Sequence, residues 1–315
     1  MPLSRITLKA PATTANLGPG FDVFGLALEQ PTDKVTLSLI TEGIKIDVSG
    51  LSAAAVPVEP EKSTPGVVAC LMLKEFSLKT GIHVKIERGI FPGVGLGSSA
   101  ASAAAVAYGL NHMFRLDLDR NELIRFAIKG EVAAAGSEHA DNVSAALYGD
   151  FVIVKSYKPL EIVNLKSPPE MEVSVAFPHV ATSTNKTRKA RSVLPKNVPI
   201  SSLVYNVGKA AALASGFVLG DVELIGKSMF DAVAEPARAF LVPGYQQVRE
   251  NALKAGACGV AISGAGPAMI AVVDKKKANS ADVAAAMKAG FEAAGFGATA
   301  FATKPGKGVC IVEMK

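Results

Sequence analysis

The stretch Gly93-Val94-Gly95-Leu96-Gly97-Ser98-Ser99 leaves this chain the fewest structural choices. Its three glycines permit positive φ and let the backbone approach a ligand without interposed side chains. Ahead of it, His83-Val84-Lys85-Ile86-Glu87 alternates in polarity and predicts a strand, with Arg88 to Pro92 as the turn. Behind it, Ala100 to Met113 is almost free of helix breakers. The two serines therefore open a helix, where unpaired N–H groups and the positive dipole end favour an anion. Strand, glycine loop and helix start together form a phosphate cradle. The same residues also suit a plain connection with a serine cap, so the rest of the chain has to decide. No Gly-Lys-Ser/Thr follows, which excludes the Walker type of loop. Asp117 and Asp119 follow the helix with no second strand before them, which argues against a dinucleotide fingerprint.

At 315 residues the chain suits two domains of ordinary size or one large one. Hydrophobic residues make up 49% and charged residues 19%, so a sizeable core is available. No uninterrupted apolar run reaches the roughly 18–20 residues of a membrane span. The opening Met1-Pro2-Leu3-Ser4-Arg5 shows no secretory signal, so a cytoplasmic, membrane-free protein is expected. Cys70, Cys258 and Cys310 are odd in number and scattered, which fits a reducing compartment and excludes a CxxC zinc site. The net charge of +5 is modest, and its densest run, Lys186 to Lys196, suits an anionic ligand or a solvated loop. Without tryptophan, and with only 6% aromatic residues, a nucleic-acid partner is not expected.

Taken in order, Ile6 to Ala10 alternate as a first strand, and Pro11 to Asp22 read as a specific loop with Asn16 and Asp22 as its hydrogen-bonding side chains. Residues 33–40 and 43–48 read as a hairpin, and 67–80 as an amphipathic helix. Asp119-Arg120-Asn121-Glu122 starts the helix over 123–134. The segment Gly130-Glu131 to Asp141-Asn142 sets an acid, an imidazole and an amide among small residues, as a crowded polar site requires. Strands are expected at 151–156 and 173–177, with a Pro-containing domain boundary between them. Helices follow at 204–219, 224–232, 245–255 and 281–294, and a strand at 308–313. Gly259 to Val273 reads as strand, glycine turn, strand, a second place for bare N–H groups.

Three stretches now stand together: Pro92-Gly93-Val94-Gly95-Leu96-Gly97-Ser98-Ser99-Ala100-Ala101, the Asn16–Asp22 loop, and Ser263-Gly264-Ala265-Gly266-Pro267. The set resembles the GHMP small-molecule kinases. Within them, Pro11 to Asp22, His139-x-Asp141-Asn142-Val143, Thr187-x-x-Ala190-Arg191 and Glu235-Pro236-x-Arg238 resemble the homoserine kinases. The matches run in family order from residue 11 to 267.

The resemblance implies ATP and Mg²⁺ as cofactors and L-homoserine as the small-molecule substrate, phosphorylated on the route to threonine. It implies that Pro92, Gly93, Val94, Gly95, Leu96, Gly97, Ser98, Ser99 and Ala100 wrap the triphosphate, with Gly264 nearby. It places Lys62 and Ser63 near the adenine, although the family often has Lys-Asn there. Ser98 or Ser99 and Glu131 would hold the metal. Arg191 and Arg238 suit the substrate carboxylate; Asp22 with Asn16 suits its ammonium; His139 would line the pocket. Asn142, Thr187 and Arg191 are the expected catalytic set. Several relatives have aspartate at Asn142, and an amide cannot take a proton; Asp141 is expected to point elsewhere. Ala145 stands where proline is common.

The implied fold is α+β in two domains: residues 1–165, a nucleotide-binding domain with a left-handed βαβ unit, and residues 166–315, a ferredoxin-like α/β sandwich. A homodimer is a family expectation. The alternatives are a GHMP kinase for shikimate or a mevalonate-type alcohol, and a non-catalytic nucleotide-binding regulator.

Overall fold

The computed structural model describes residues 3–135, 140–180 and 186–315. The chain opens with β1 (Arg5–Asn16) and β2 (Gly20–Ile40), antiparallel and joined only by Leu17, Gly18 and Pro19. The loop expected over 11–22 is thus mostly strand. Residues 10–20 are all buried, so their backbone groups need partners, and the ladder to β2 supplies them. Positive φ at Asn16 and Leu17, 74° and 47°, closes the turn.

Next come β3 (Ile44–Gly50), α1 (Thr64–Glu75) and β4 (Gly81–Arg88). β4 lies between β2 and β3, antiparallel to the first and parallel to the second. The hairpin expected from 33–40 and 43–48 therefore does not form. Ile82, Val84 and Ile86 of β4 are fully buried, so the interior position buries more apolar surface than a β2–β3 pairing would. Ser63 caps α1 through the Gly66 N–H at 3.2 Å, with Pro65 in the first turn.

Helix α2 (Ser98–Phe114) follows the glycine loop, and α3 (Arg120–Ala135) and α4 (Ala140–Tyr148) pack beside it. α2 is alanine-rich because it is central: Ala100, Ala101, Ala103, Ala104, Ala105 and Ala107 are wholly buried against the sheet and the other helices. α3 begins with a reciprocal capping box, Asp119 and Glu122 each accepting the other's N–H at 2.8 Å. The strands β5 (Phe151–Tyr157) and β6 (Leu160–Leu165), the second inside a segment read as loop, extend the sheet from β2.

The second half runs β7 (Met171–Pro178), α5 (Lys186–Ser192), α6 (Ile200–Leu219), α7 (Val222–Lys227), α8 (Ala234–Arg238), α9 (Tyr245–Lys254), β8 (Gly259–Ile262), β9 (Met269–Asp274), α10 (Ser280–Ala293) and β10 (Ala298–Thr303). Its antiparallel sheet has the order β10-β7-β9-β8, the ferredoxin-like arrangement. The last strand, β11 (Cys310–Met314), returns to pair with β1, so the end of the 166–315 segment belongs to the first sheet. One core runs across both halves, joining Ile6, Leu8 and Phe151 to Phe217, Ile225 and Ile270. Phe151 and Phe217 stack with centroids 4.0 Å apart.

By length and composition alone α6 is apolar enough to cross a membrane, although Asn206 and Lys209 interrupt its apolar run. Its side chains Asn206 and Lys209 bind Asp231 and the Lys227 carbonyl, and Leu213, Gly216 and Phe217 are buried against the rest of the fold.

Candidate active site

The glycine loop lies where the two halves meet. Every carbonyl from Gly93 to Gly97 is tied back to protein: Gly93 to the Lys186 ammonium, Val94 to the Ala268 N–H, Gly95 to the Ser263 hydroxyl, Leu96 to the Thr13 N–H and Gly97 to the Ala101 N–H. No protein acceptor among the described residues takes the backbone N–H groups from Gly93 to Ala100. Positive φ at Gly93, Gly95 and Gly97, 72°, 101° and 62°, alternates with ordinary residues, a pattern that can turn successive N–H groups to one side. Such a concavity at an α-helix start binds anions. Gly97 occupies the N-cap of α2, and no side chain caps it.

Gly95 and Gly97 are required by contact as well as by φ. A Cβ on Gly95 would stand 2.3 Å from the Ser263 carbonyl oxygen. A Cβ on Gly97 would stand 1.9 Å from Thr13 Oγ1 and 3.0 Å from Asn142 Oδ1. Thr13 donates to that amide oxygen at 2.8 Å, while Asp141 accepts from the Asn142 N–H at 2.7 Å and from Nδ2 at 3.3 Å. Asn142, on α4, is thus tied to the first strand and to its neighbour Asp141, facing the last glycine of the loop. Ser98 Oγ accepts from Arg88 Nη1 at 2.8 Å, and Ser99 is half-buried beside it. Glu131 is buried on α3.

On the other side of the loop lies a charged pocket. Arg191 Nη2 meets Asp22 Oδ2 at 2.5 Å. The Arg191 and Arg238 guanidinium carbons sit 5.5 Å and 4.7 Å from the Phe21 ring centroid. Arg238 donates to the Ala190 carbonyl at 2.9 Å and, with Asn16 Nδ2, to the Gly264 carbonyl at 3.2 Å and 2.9 Å. Asn16 Oδ1 accepts the Asp22 N–H, and the Tyr157 hydroxyl donates to the Asp22 carbonyl at 2.8 Å. Burial pushes the Tyr157 hydroxyl pKa up, with Asp141 and Asp22 adding to it. Asp141 raises the Arg238 pKa slightly by its charge, while its Oδ1 is engaged by Asn142.

An anion cradle beside a pocket of paired opposite charges is the arrangement of a phosphotransferase for a zwitterion, and the comparisons with known proteins agree. The model of the GHMP kinase N-terminal domain matches residues 64–150, and that of the GHMP kinase C-terminal region matches 210–293. A homoserine kinase of Methanococcus vannielii is 46% identical over 87% of this chain and 89% of its own length. One from Methanocella arvoryzae is 45% identical over 99% of this chain and 98% of its own. The crystal structure of homoserine kinase from Cytophaga hutchinsonii superposes with a TM-score of 0.91 at 37% identity, covering 98% of each chain. The chain belongs to the GHMP kinase family.

Several expected site residues of this GHMP kinase have other engagements. The second glycine turn does not offer the bare N–H groups expected of it. Gly264 and Gly266 donate to Ala15 and Ser263, and the turn presents carbonyls instead, to Asn16, Arg238 and Lys186. Ser63 is occupied as the α1 cap, and Lys62 pairs with Glu59 at 3.3 Å. Thr187 is half-buried on α5. His139 lies outside the described residues.

Sequence reasoning missed Thr13, Phe21, Arg88, Tyr157 and the particular role of Lys186, whose neighbours come from distant segments. Thr13 and Phe21 lay inside the Pro11–Asp22 motif without a role of their own, and the basic run at 186–196 did not single out one lysine.

Glu235, in the Glu235-Pro236-x-Arg238 motif, supports the site from below. Its carboxylate accepts from the Tyr245 hydroxyl at 2.6 Å and from the Ile262 N–H at 3.1 Å, tying α8 to the strand before the second turn. Burial pushes its pKa from 4.5 up to about 7. The folded state thus holds a proton that the unfolded chain releases. The stability from this group is complete below pH 4.5 and is lost as pH rises through 7, at most about 3 kcal/mol. Glu235→Gln is expected to flatten this part of a Tm-against-pH profile and to match or exceed the parent at alkaline pH. An unchanged slope would assign the titration to another group.

Proposed function

We propose that this kinase transfers the γ-phosphoryl group of ATP to the side-chain hydroxyl of L-homoserine, giving O-phospho-L-homoserine in the cytoplasm on the route to threonine. The observation that carries the substrate is the Asp22–Arg191 ion pair with Arg238 across Phe21. This pocket is charged and self-compensated. A substrate bearing both an ammonium and a carboxylate can open it by exchanging one ion pair for two. A carboxylate alone would leave Asp22 without its counter-charge, which is costly in a half-buried site.

The chain's own groups account for each task of the transfer. The loop N–H groups and the α2 N-terminus take the phosphate charge, and Arg191 and Arg238 grip the carboxylate. Asn142, oriented by Thr13 and Asp141, aligns the acceptor hydroxyl with the phosphoryl group. An amide is no base, so the hydroxyl proton leaves late, to the phosphoryl oxygen itself, as a loose transition state allows.

The donor set suits Mg²⁺, which takes few protein ligands and prefers hard oxygens: the Glu131 carboxylate and one serine hydroxyl. Ser98 already faces the Arg88 cation, which supports Ser99 as that hydroxyl. When bound, the ion would neutralise phosphate charge.

ADP release with Mg-ATP against L-homoserine, D-homoserine, L-serine, shikimate and mevalonate tests the reading. L-Homoserine is expected to exceed the others by about a hundredfold or more in kcat/KM, roughly 2.7 kcal/mol. Preferred turnover of shikimate or mevalonate would overturn the substrate, and ATP binding without turnover would indicate a regulator.

A further inference from the structure

Lys186 is the first residue of α5, and its ammonium reaches out of the second half of the molecule to both glycine loops. It donates to the Gly93 carbonyl at 2.6 Å and to the Gly266 carbonyl. Gly93 opens the phosphate loop, and Gly266 closes the turn whose other carbonyl, at Gly264, holds Asn16 and Arg238. Farther along α5, the Ala190 carbonyl accepts from Arg238 and Arg191 pairs with Asp22. The short helix is therefore pinned at one end to the phosphate cradle and at the other to the acceptor pocket. Thr187 lies between.

The ammonium has dipoles around it but no counter-charge. Among the described residues no carboxylate pairs with Lys186, and the charged group that acts on it is Arg238, another cation. Burial and Arg238 push its pKa down to about 7. An anion in the adjacent cradle supplies the missing charge and favours the ammonium. Lysine is suited to this: three donors on a flexible stem, strongly sensitive to burial.

We propose that Lys186 is a positioning residue that couples the two substrates. A polyphosphate in the cradle stabilises its ammonium, the ammonium fastens α5 to both glycine loops, and α5 then holds Thr187 and Arg191 over the acceptor. Nucleotide and amino acid consequently strengthen each other's binding, by linkage through one element rather than by touching. This rests on the homoserine kinase reading above.

The test is calorimetric titration of L-homoserine into the whole protein with and without the non-hydrolysable ATP analogue AMP-PNP and Mg²⁺. The parent is expected to bind homoserine at least about fivefold more tightly with the analogue present. In Lys186→Met, which keeps the stem and removes the charge, that gain should fall below about twofold. L-Homoserine alone should bind the variant within about twofold of the parent, and AMP-PNP alone more weakly, because a nucleotide that favours the ammonium is favoured by it in turn. Lys186→Arg should restore at least half of the gain, and thermal melting of all three confirms that they are folded.

A gain retained in Lys186→Met overturns the coupling. With that gain retained, a loss of AMP-PNP affinity would make Lys186 a direct phosphate ligand only. Failure of the function reading has a different signature: the parent binds AMP-PNP but no homoserine, and ADP release selects another acceptor. The same coupling is then measured with that acceptor, and its absence in the parent overturns the proposal.

Discussion

Gly97→Ala is expected to lower kcat by about a thousandfold or more, roughly 4 kcal/mol of barrier. The φ of 62° at this position is tolerable for alanine at about 1–2 kcal/mol, so strain alone would not account for such a loss. The methyl is the problem: it would sit 1.9 Å from Thr13 Oγ1 and 3.0 Å from Asn142 Oδ1. To admit it, the Thr13 hydroxyl must swing away, which releases the amide that it holds at 2.8 Å. The cradle and the aligning amide are disturbed together, and a misplacement of about 1 Å costs on the order of a hundredfold by itself. Steady-state kinetics and AMP-PNP titration on the folded variant check this. Thr13→Ala removes the clashing oxygen but also the holder of the Asn142 amide, so the double variant should regain about tenfold over Gly97→Ala and no more, a non-additivity expected of neighbours. A Gly97→Ala enzyme within tenfold of the parent would show that the loop adjusts and that the Thr13–Asn142 contact is incidental.

Arg238→Lys is expected to cut kcat/KM for L-homoserine by about a hundredfold or more while leaving KM for ATP within about threefold. The arginine is buried, and its Nε and Nη1 are committed to the Ala190 and Gly264 carbonyls. On the proposed reading its Nη2 is the donor that a substrate carboxylate would take. A lysine keeps the charge but cannot hold two carbonyls and a substrate in one plane. Truncating a buried, hydrogen-bonded charge typically costs about 2–5 kcal/mol, which brackets the figure. 3-Aminopropan-1-ol, which lacks the carboxylate, separates substrate binding from scaffold damage. It should be a poor substrate for the parent and scarcely poorer for the variant. An equal loss on both alcohols would make Arg238 a brace for α5 rather than a carboxylate ligand.

Both predictions combine a residue that the sequence singled out with partners that it concealed. Arg238 was legible because Glu-Pro-x-Arg resembles a motif of the homoserine kinases, and Gly97 because glycine spacing before an alanine helix is a local pattern with a local meaning. The helix starts were legible for the same reason: Asp119 and Glu122 satisfy each other's N–H groups within four residues. Much of the secondary structure was readable from such short-range chemistry, as were the glycine loop before α2 and the identity of the charged residues near it.

Tertiary structure decided what depends on separation in space. Polarity alternation shows that β2, β3 and β4 are strands but carries no record of their partners. The insertion of β4 and the return of β11 to β1 follow from burying whole faces at once. Backbone atoms carry no side-chain signature, so the five carbonyls that turn the loop N–H groups outward could not be read in advance. Nor could the choice of Lys186 from a run of similar cations, made by two carbonyls 93 and 80 residues away. Composition and spacing determined which chemistry this chain can perform; packing decided which atoms hold it in place, because a hydrogen bond depends on distance and angle and not on sequence order.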